Sequence, residues 1–172
     1  MIMSIHRRYA ILSVGALILA PRMGWAEEDA CARLAKGLSL CPATGWTQDA
    51  TVDGATANFV STNGIIGAVR LQSDLTPEQV SGARSMILHA PISARASVLS
   101  TGFAEVDGQL ATTVAYLPRH AHPATVVAMS RVIGDDFTLV VTTRETGIES
   151  YSETHQKAHA ALLAALRLEK DR

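Results

Sequence analysis

The sequence predicts an α+β fold, with an antiparallel β-sheet of about six to seven strands in a βββ-α-ββββ-α order and helices packed on the sheet. Three observations carry this expectation. The dipeptides Asn63-Gly64 and Asp107-Gly108 each separate two runs of strand character, a strong short-range hairpin signal. "PATVVAMSRVI" (123–133) and "FTLVVTT" (137–143) are rich in β-branched residues, as central strands covered on two faces are. Thr76-Pro77-Glu78-Gln79 marks a helix start, with Thr76 as N-cap, Pro77 at the first helical position and Gln79 closing a capping box.

In chain order, a short helix ending at Gly37 is expected first, then a strand over Trp46 to Val52. Residues 54–62 alternate through Ala57, Phe59 and Ser61, and 65–72 form their hairpin partner. The helix opened by Thr76 buries Val80, Ala83 and Ile87, leaves His89 on its solvated side and ends at Pro91. Residues 95–106 and 109–118 meet across Asp107-Gly108. The two β-branched strands follow, joined by Gly134-Asp135-Asp136, and a last helix runs from about Gly147 to Leu168. There is no internal repeat, low-complexity segment or linker, so residues 45–170 read as a single domain.

The N-terminus has the parts of an export signal. Arg7 and Arg8 give a positive start, Tyr9 to Ala20 an apolar stretch of twelve residues, and Gly24-Trp25-Ala26 small residues at the −3 and −1 positions of a cleavage site. The apolar stretch is too short to cross a hydrocarbon core of about 30 Å as a helix. Residues 1–26 therefore read as a cleaved signal peptide, cut after Ala26, with an uncleaved anchor as the rival. The arginine pair leaves Sec and twin-arginine export both open, although Ala10 stands where the latter favours a bulky apolar residue. Glu28-Asp29-Ala30 before Cys31 is not a lipid-attachment sequence. No later stretch is apolar enough to span a membrane, and the expected location is the periplasm.

Cleavage leaves 146 residues, and the loss of three Arg takes the net charge from −1 to −4. A mildly acidic chain is a poor partner for nucleic acid or anionic lipid. Cys31 and Cys41 are the two cysteines, and an even count in an exported protein reads as one disulfide. It would staple the segment 27–44, for about 2–3 kcal/mol in the chain-entropy model. A redox or metal pair is the alternative, but the spacing lacks C-x-x-C geometry.

No catalytic motif stands out: the chain has no G-x-S-x-G elbow, phosphate-binding loop or dinucleotide fingerprint. Asp135 and Asp136 read as a solvated turn. Glu145, Glu149 and Glu153 sit where a helix start favours negative charge. "HQKAH" (155–159) approaches the H-E-x-x-H zinc motif, but Gln156 replaces the base and cannot accept a proton. At 100° per residue, Tyr151, His155, Ala158, Leu162 and Ala165 share the sheet-facing stripe, His159 flanks it and Gln156 faces away. His155 is therefore expected to cap the sheet edge through one hydrogen bond. "PRHAHP" (118–123) places Arg119, His120 and His122 in a proline-bounded loop, a partner or anion loop. His120, His122, His155 and His159 are the metal candidates. No catalytic residue, cofactor or metal is assigned.

Several stretches together resemble the PsbP/DcrB-like superfamily of small α/β/α sandwiches. They are "CPATGW", "ANFV", "GIIGAVRL", "TPEQVSGARSMIL", "AEVDGQLATTVAYL" and "FTLVVTT" with the helix after it, covering about Pro42 to Leu168. The resemblance implies exported accessory or binding proteins without a shared catalytic set, so no functional residue is carried over. The leading expectation is a non-enzymatic periplasmic accessory protein acting through a protein partner in envelope assembly or a secreted pathway, as a monomer or small homo-oligomer. The alternatives are a histidine-dependent metal-binding hydrolase or metal carrier, and a binder of a small apolar ligand.

Overall fold

The computed structural model describes residues 31–42, 45–49, 57–85 and 89–169. The signal segment, the end of the first expected strand and Ile87 lie outside the described residues. Ten strands and three helices follow in order: β1 (Ala32–Ala35), β2 (Leu38–Leu40), β3 (Trp46–Asp49), β4 (Ala57–Ser61), β5 (Ile66–Gln72), α1 (Pro77–Ser85), α2 (His89–Ser93), β6 (Ala96–Val106), β7 (Gln109–Pro118), β8 (Thr125–Ile133), β9 (Thr138–Thr146), α3 (Glu153–Ala165) and β10 (Leu166–Leu168). The α+β architecture and the seven-stranded antiparallel sheet agree with the sequence reading.

The large sheet runs β3-β4-β5-β9-β8-β7-β6. Two meanders, β3–β5 and β6–β9, thus join along β5 and β9, with seven residue pairs from Ile66↔Arg144 to Gln72↔Thr138. α1 and α2 carry the chain from β5 to β6 at the far edge. Asp107 and Gly108 both have positive φ, 47° and 76°, as a two-residue primed turn demands. The other hairpin is not a two-residue turn. Ser61 N–H donates to Ile65 C=O and Gly64 N–H to Ser61 C=O, which makes Thr62-Asn63-Gly64 a three-residue loop with Gly64 left-handed (φ 77°).

Register assigns the faces. Val69, Val141, Val132 and Ala111 share one side, together with Phe59, Leu139 and Val106. This face meets Leu162 and Leu163 of α3, and Leu38 and Leu166 of the small sheet, in the main core. On the opposite face, Val114, Tyr116 and Val127 form a smaller cluster with Ala90, Ala94 and Ala96 around α2. α1 docks beside them, where Arg131 Nη1–H donates to the Ala83 C=O at 3.3 Å.

Three expectations change. The segment before Gly37 is a strand: Gly37 is left-handed (φ 80°) and turns β1 back onto β2. The last helix stops at Ala165 because the free side of β2 takes Leu166–Leu168 as a third strand, β10. Leu166, extended at φ −76° and ψ 141°, is wholly buried there. Pro91 does not end the helix of Thr76. It lies buried inside the separate α2, within the first turn, where a missing N–H costs little. Cys31 and Cys41 form a disulfide, tying the start of β1 to the end of β2, and Cys41 N–H donates to Ala165 C=O at 2.9 Å.

α3 lies close to the sheet at Gly67. A Cβ there would stand 2.9 Å from the Trp46 ring and 3.0 Å from Leu162 Cδ2. Neither neighbour is free to move: Trp46 Nε1–H donates to Ala158 C=O at 3.0 Å, and Leu162 is fully buried. Gly67→Ala is expected to destabilise by about 1–3 kcal/mol, read as a lower urea midpoint at unchanged m-value.

Candidate functional site

The chemistry-bearing side chains converge under α3. Thr113, Ser130 and Thr143 are register neighbours on β7, β8 and β9 or sit one pleat away, on the face that α3 covers. His155 and His159 stand one helical turn apart on α3 and both point at that face. They are 0% and 2% exposed. Ser152 caps the helix, its Oγ accepting from His155 N–H at 3.0 Å, which fixes where the first turn begins.

A continuous chain of hydrogen bonds results. Thr113 Oγ1 meets Ser130 Oγ at 2.7 Å, Ser130 Oγ meets His159 Nε2 at 2.8 Å, and His159 Nδ1 meets Thr143 Oγ1 at 2.8 Å. Thr143 Oγ1 also meets His155 Nε2 at 2.9 Å. His155 Nδ1 has no hydrogen-bond partner, but Glu145 Oε2 lies 3.6 Å away and itself accepts from Ser152 Oγ–H at 2.9 Å. Tyr151 closes the outer side, its ring edge-on to His155 with centroids 5.0 Å apart. Burial pushes the Tyr151 phenol up to about 12.

Burial also decides the charge state of the imidazoles. It lowers His159 from an ordinary 6.5 to about 4, and the neighbouring His155 adds to the shift. His155 is lowered by burial too, against the opposing pull of Glu145 and of the Thr143 backbone. Both rings are neutral at pH 7, so each carries one N–H and one bare nitrogen. The carboxylate facing Nδ1 of His155 selects the N–H at that atom. Thr143 O–H then donates to His155 Nε2, His159 Nδ1–H donates to Thr143, and Ser130 O–H donates to His159 Nε2. Every donor in this chain points towards Glu145.

A serine hydroxyl on an imidazole oriented through further partners is the constellation of nucleophilic hydrolases. Here it is closed off. Ser130 is 1% exposed, its second hydrogen bond goes to Thr113, and α3 occupies the space an electrophile would need. The arrangement positions α3; it does not present a nucleophile.

The fold has known counterparts. LpqN of Mycobacterium tuberculosis, a protein involved in cell envelope biogenesis, superposes with a TM-score of 0.56 at 13% identity, covering 77% of this chain and 83% of LpqN. The two share a fold. A protein of Bacteroides thetaiotaomicron VPI-5482 superposes with a TM-score of 0.51 at 8% identity over 78% of this chain, which spans 46% of that protein. No family model matches the sequence, and no curated protein does. At these identities the shared fold carries no residue correspondence.

The other sequence candidates lie elsewhere. His89 is exposed at the start of α2, and Arg119, His120 and His122 are exposed in the loop between β7 and β8. That loop is far along the chain from α3, and among the described residues no three His, Cys, Asp or Glu side chains come together as metal ligands. Asp135 and Asp136 are exposed in the β8–β9 turn. Gln156 faces water and its amide N–H donates to Tyr151 C=O at 2.9 Å.

His155 departs from expectation: it bonds β9, an interior strand, and not the sheet edge. The edge placement assumed that a polar side chain needs the rim, whereas an inward-facing hydroxyl meets it in the middle. Sequence reasoning missed Thr113, Ser130 and Thr143. Their signal is parity, since each is the one hydroxyl residue in an inward-facing series: Ala111-Thr113-Ala115, Val126-Ala128-Ser130-Val132 and Leu139-Val141-Thr143.

The lowered histidines make stability depend on pH. The unfolded chain binds protons near 6.5, whereas folded His159 resists them down to about 4, so stability is full above 6.5 and falls as pH drops through that window. His159 alone contributes about 3 kcal/mol to the loss, and His155 adds in the same direction. Urea midpoints recorded from pH 7 to pH 4 are expected to fall more steeply for the wild type than for His159→Gln. Ser130→Ala leaves His159 Nε2 unpaired and is expected to cost about 1–3 kcal/mol at pH 7.

Proposed function

We propose that this chain is an exported, non-enzymatic accessory protein of the cell envelope that works by binding a protein partner. The observation that carries the reading is the enclosure of its Ser-His-Thr-His chain beneath α3. The side chains best equipped for catalysis are spent on docking a helix. Three further features support it: the signal-like residues 1–26 with a cut after Ala26, a disulfide suited to an oxidising compartment, and a fold shared with an envelope-biogenesis protein. Membership of the PsbP/DcrB-like superfamily belongs to the same proposal. So do the periplasmic location and the division into a signal, a disulfide-stapled segment (27–44) and one domain (45–170).

A small-ligand binder is the second reading, and one observation favours it. An open cavity of about 890 Å³ lies where the ends of the two sheets meet, with Leu71, Phe137 and Leu168 among apolar lining residues and Asp74, Asp107 and Asp136 among polar ones. Its size suits a small molecule. It lies at the loop end of the sheets, not between helix and sheet.

The tests separate these readings. The mature chain with its disulfide intact is expected to capture a defined protein from periplasmic extract, and native mass spectrometry to find no copurified small molecule. Alanine at His120, His122, His155 or His159 is expected to leave function largely intact wherever the variant stays folded. Loss of function in stably folded variants at two or more of His120, His122, His155 and His159, or a stoichiometric metal surviving dialysis of untagged protein, would instead revive the metal reading.

A further inference from the structure

β6 is the long outer strand of the large sheet. It pairs with β7 on one side, and among the described residues no strand lies against the other. An outer strand presents a row of unpaired N–H and C=O groups, and proteins ordinarily protect it with lysine, proline, short length or a bulge. β6 has eleven residues with one charge, Glu105, and neither lysine nor proline. Its bulge is confined to Val98–Ser100, leaving Ser100–Val106 as a regular run of seven. Large apolar groups here face water: Phe103 is 74% exposed and Leu110 is 69% exposed. Phe103 pairs with Thr112 and Glu105 with Leu110, which makes Phe103 and Leu110 diagonal neighbours on one sheet face.

We propose that β6 pairs with β6 of a second copy of this chain, antiparallel about a two-fold axis at Phe103, joining two seven-stranded sheets into one. Residues opposite each other in an antiparallel ladder project on the same face, so a two-fold register must set one residue opposite itself. Phe103 is the centre of the bulge-free run. The register at Phe103 uses all seven residues and stops at the bulge. It sets Gly102 against Ala104, Thr101 against Glu105 and Ser100 against Val106. The single charge on the strand therefore meets a hydroxyl and never its own copy. The two Phe103 rings meet at the axis, and both Leu110 side chains flank them in one apolar patch.

Neighbouring registers are worse. An axis at Gly102 draws the bulged Leu99 into the ladder. An axis at Ala104 sets Phe103 against Glu105 and brings the turn residue Asp107 opposite Thr101. This self-compatible pattern of charge, bulge and aromatic favours a second copy over an unrelated strand. The inference is independent of the envelope reading, because it rests on the outer strand and not on the buried chain beneath α3.

The test is sedimentation of the purified chain, with no partner present, across the micromolar range. A reversible dimer is expected, and Phe103→Lys, which places two ammonium groups at the axis, is expected to raise its Kd at least about tenfold with unchanged circular dichroism. Phe103→Cys is expected to form an intermolecular disulfide, since facing Cα atoms in such a ladder lie about 4.5–5.5 Å apart, within the span of that bond. Leu110→Cys, one strand further from the axis on each copy, is expected not to. A wild type that stays monomeric, a dimer indifferent to Phe103→Lys, or cross-linking at Leu110→Cys without cross-linking at Phe103→Cys would each overturn the proposal.

Discussion

The docking of α3 onto the middle of the large sheet is the constraint on which the remaining structure depends. Two imidazoles on the helix bond Ser130 of β8 and Thr143 of β9, Thr113 of β7 backs Ser130, and every link is 2.7–2.9 Å. The position of α3 then sets where Leu166 leaves the helix, and so where β10 meets β2. β2 is held in turn by the Cys31–Cys41 bridge and by the bond from Cys41 N–H to Ala165 C=O. The small sheet is thus an extension of the helix's placement, and not a separate unit.

What the sequence made legible was local. The hairpin at Asp107-Gly108, the capping box at Thr76 and the β-branched strands are short-range signals, and each appears where the residues put it. Thr76 N–H donates to Gln79 Oε1 at 2.8 Å and Gln79 N–H to Thr76 Oγ1 at 3.4 Å, the two halves of the expected box. The elements that differ from expectation are those whose conformation is decided at a distance. Leu166–Leu168 has helical composition but becomes a strand because β2, more than a hundred residues earlier, leaves a free edge. Residues 32–35 become a strand because β2 folds back on them. No local pattern carries that information.

The candidate site divides the same way. The helical wheel set His155 towards the sheet and Gln156 towards water, and both are so placed. It set His159 on the flank, whereas His159 is as buried as its partner, because Ser130 and Thr143 reach up from adjacent strands to meet it. One helix pattern shows which side chains point inward; it does not show what awaits them. The partners become visible only when strand parity is read across β7, β8 and β9 together, which requires the sheet order.

Why a core should spend polar groups here follows from the composition of α3. From Ala158 to Leu166 every residue except His159 is Ala or Leu. This second half of the helix is apolar nearly all round, so there the hydrophobic effect holds it to the sheet without fixing its rotation. Turning it by one residue would exchange Leu162 and Leu163 for Ala and Leu at little cost in buried area. It would also strand both imidazoles and the Thr143 hydroxyl without partners, leaving Ser130 only its bond to Thr113, and each unpaired buried group costs about 1–3 kcal/mol. The hydrogen-bond chain therefore makes one rotation far better than its neighbours. The outward Ala160 and Ala164 stay in water because the histidines decide which side is in.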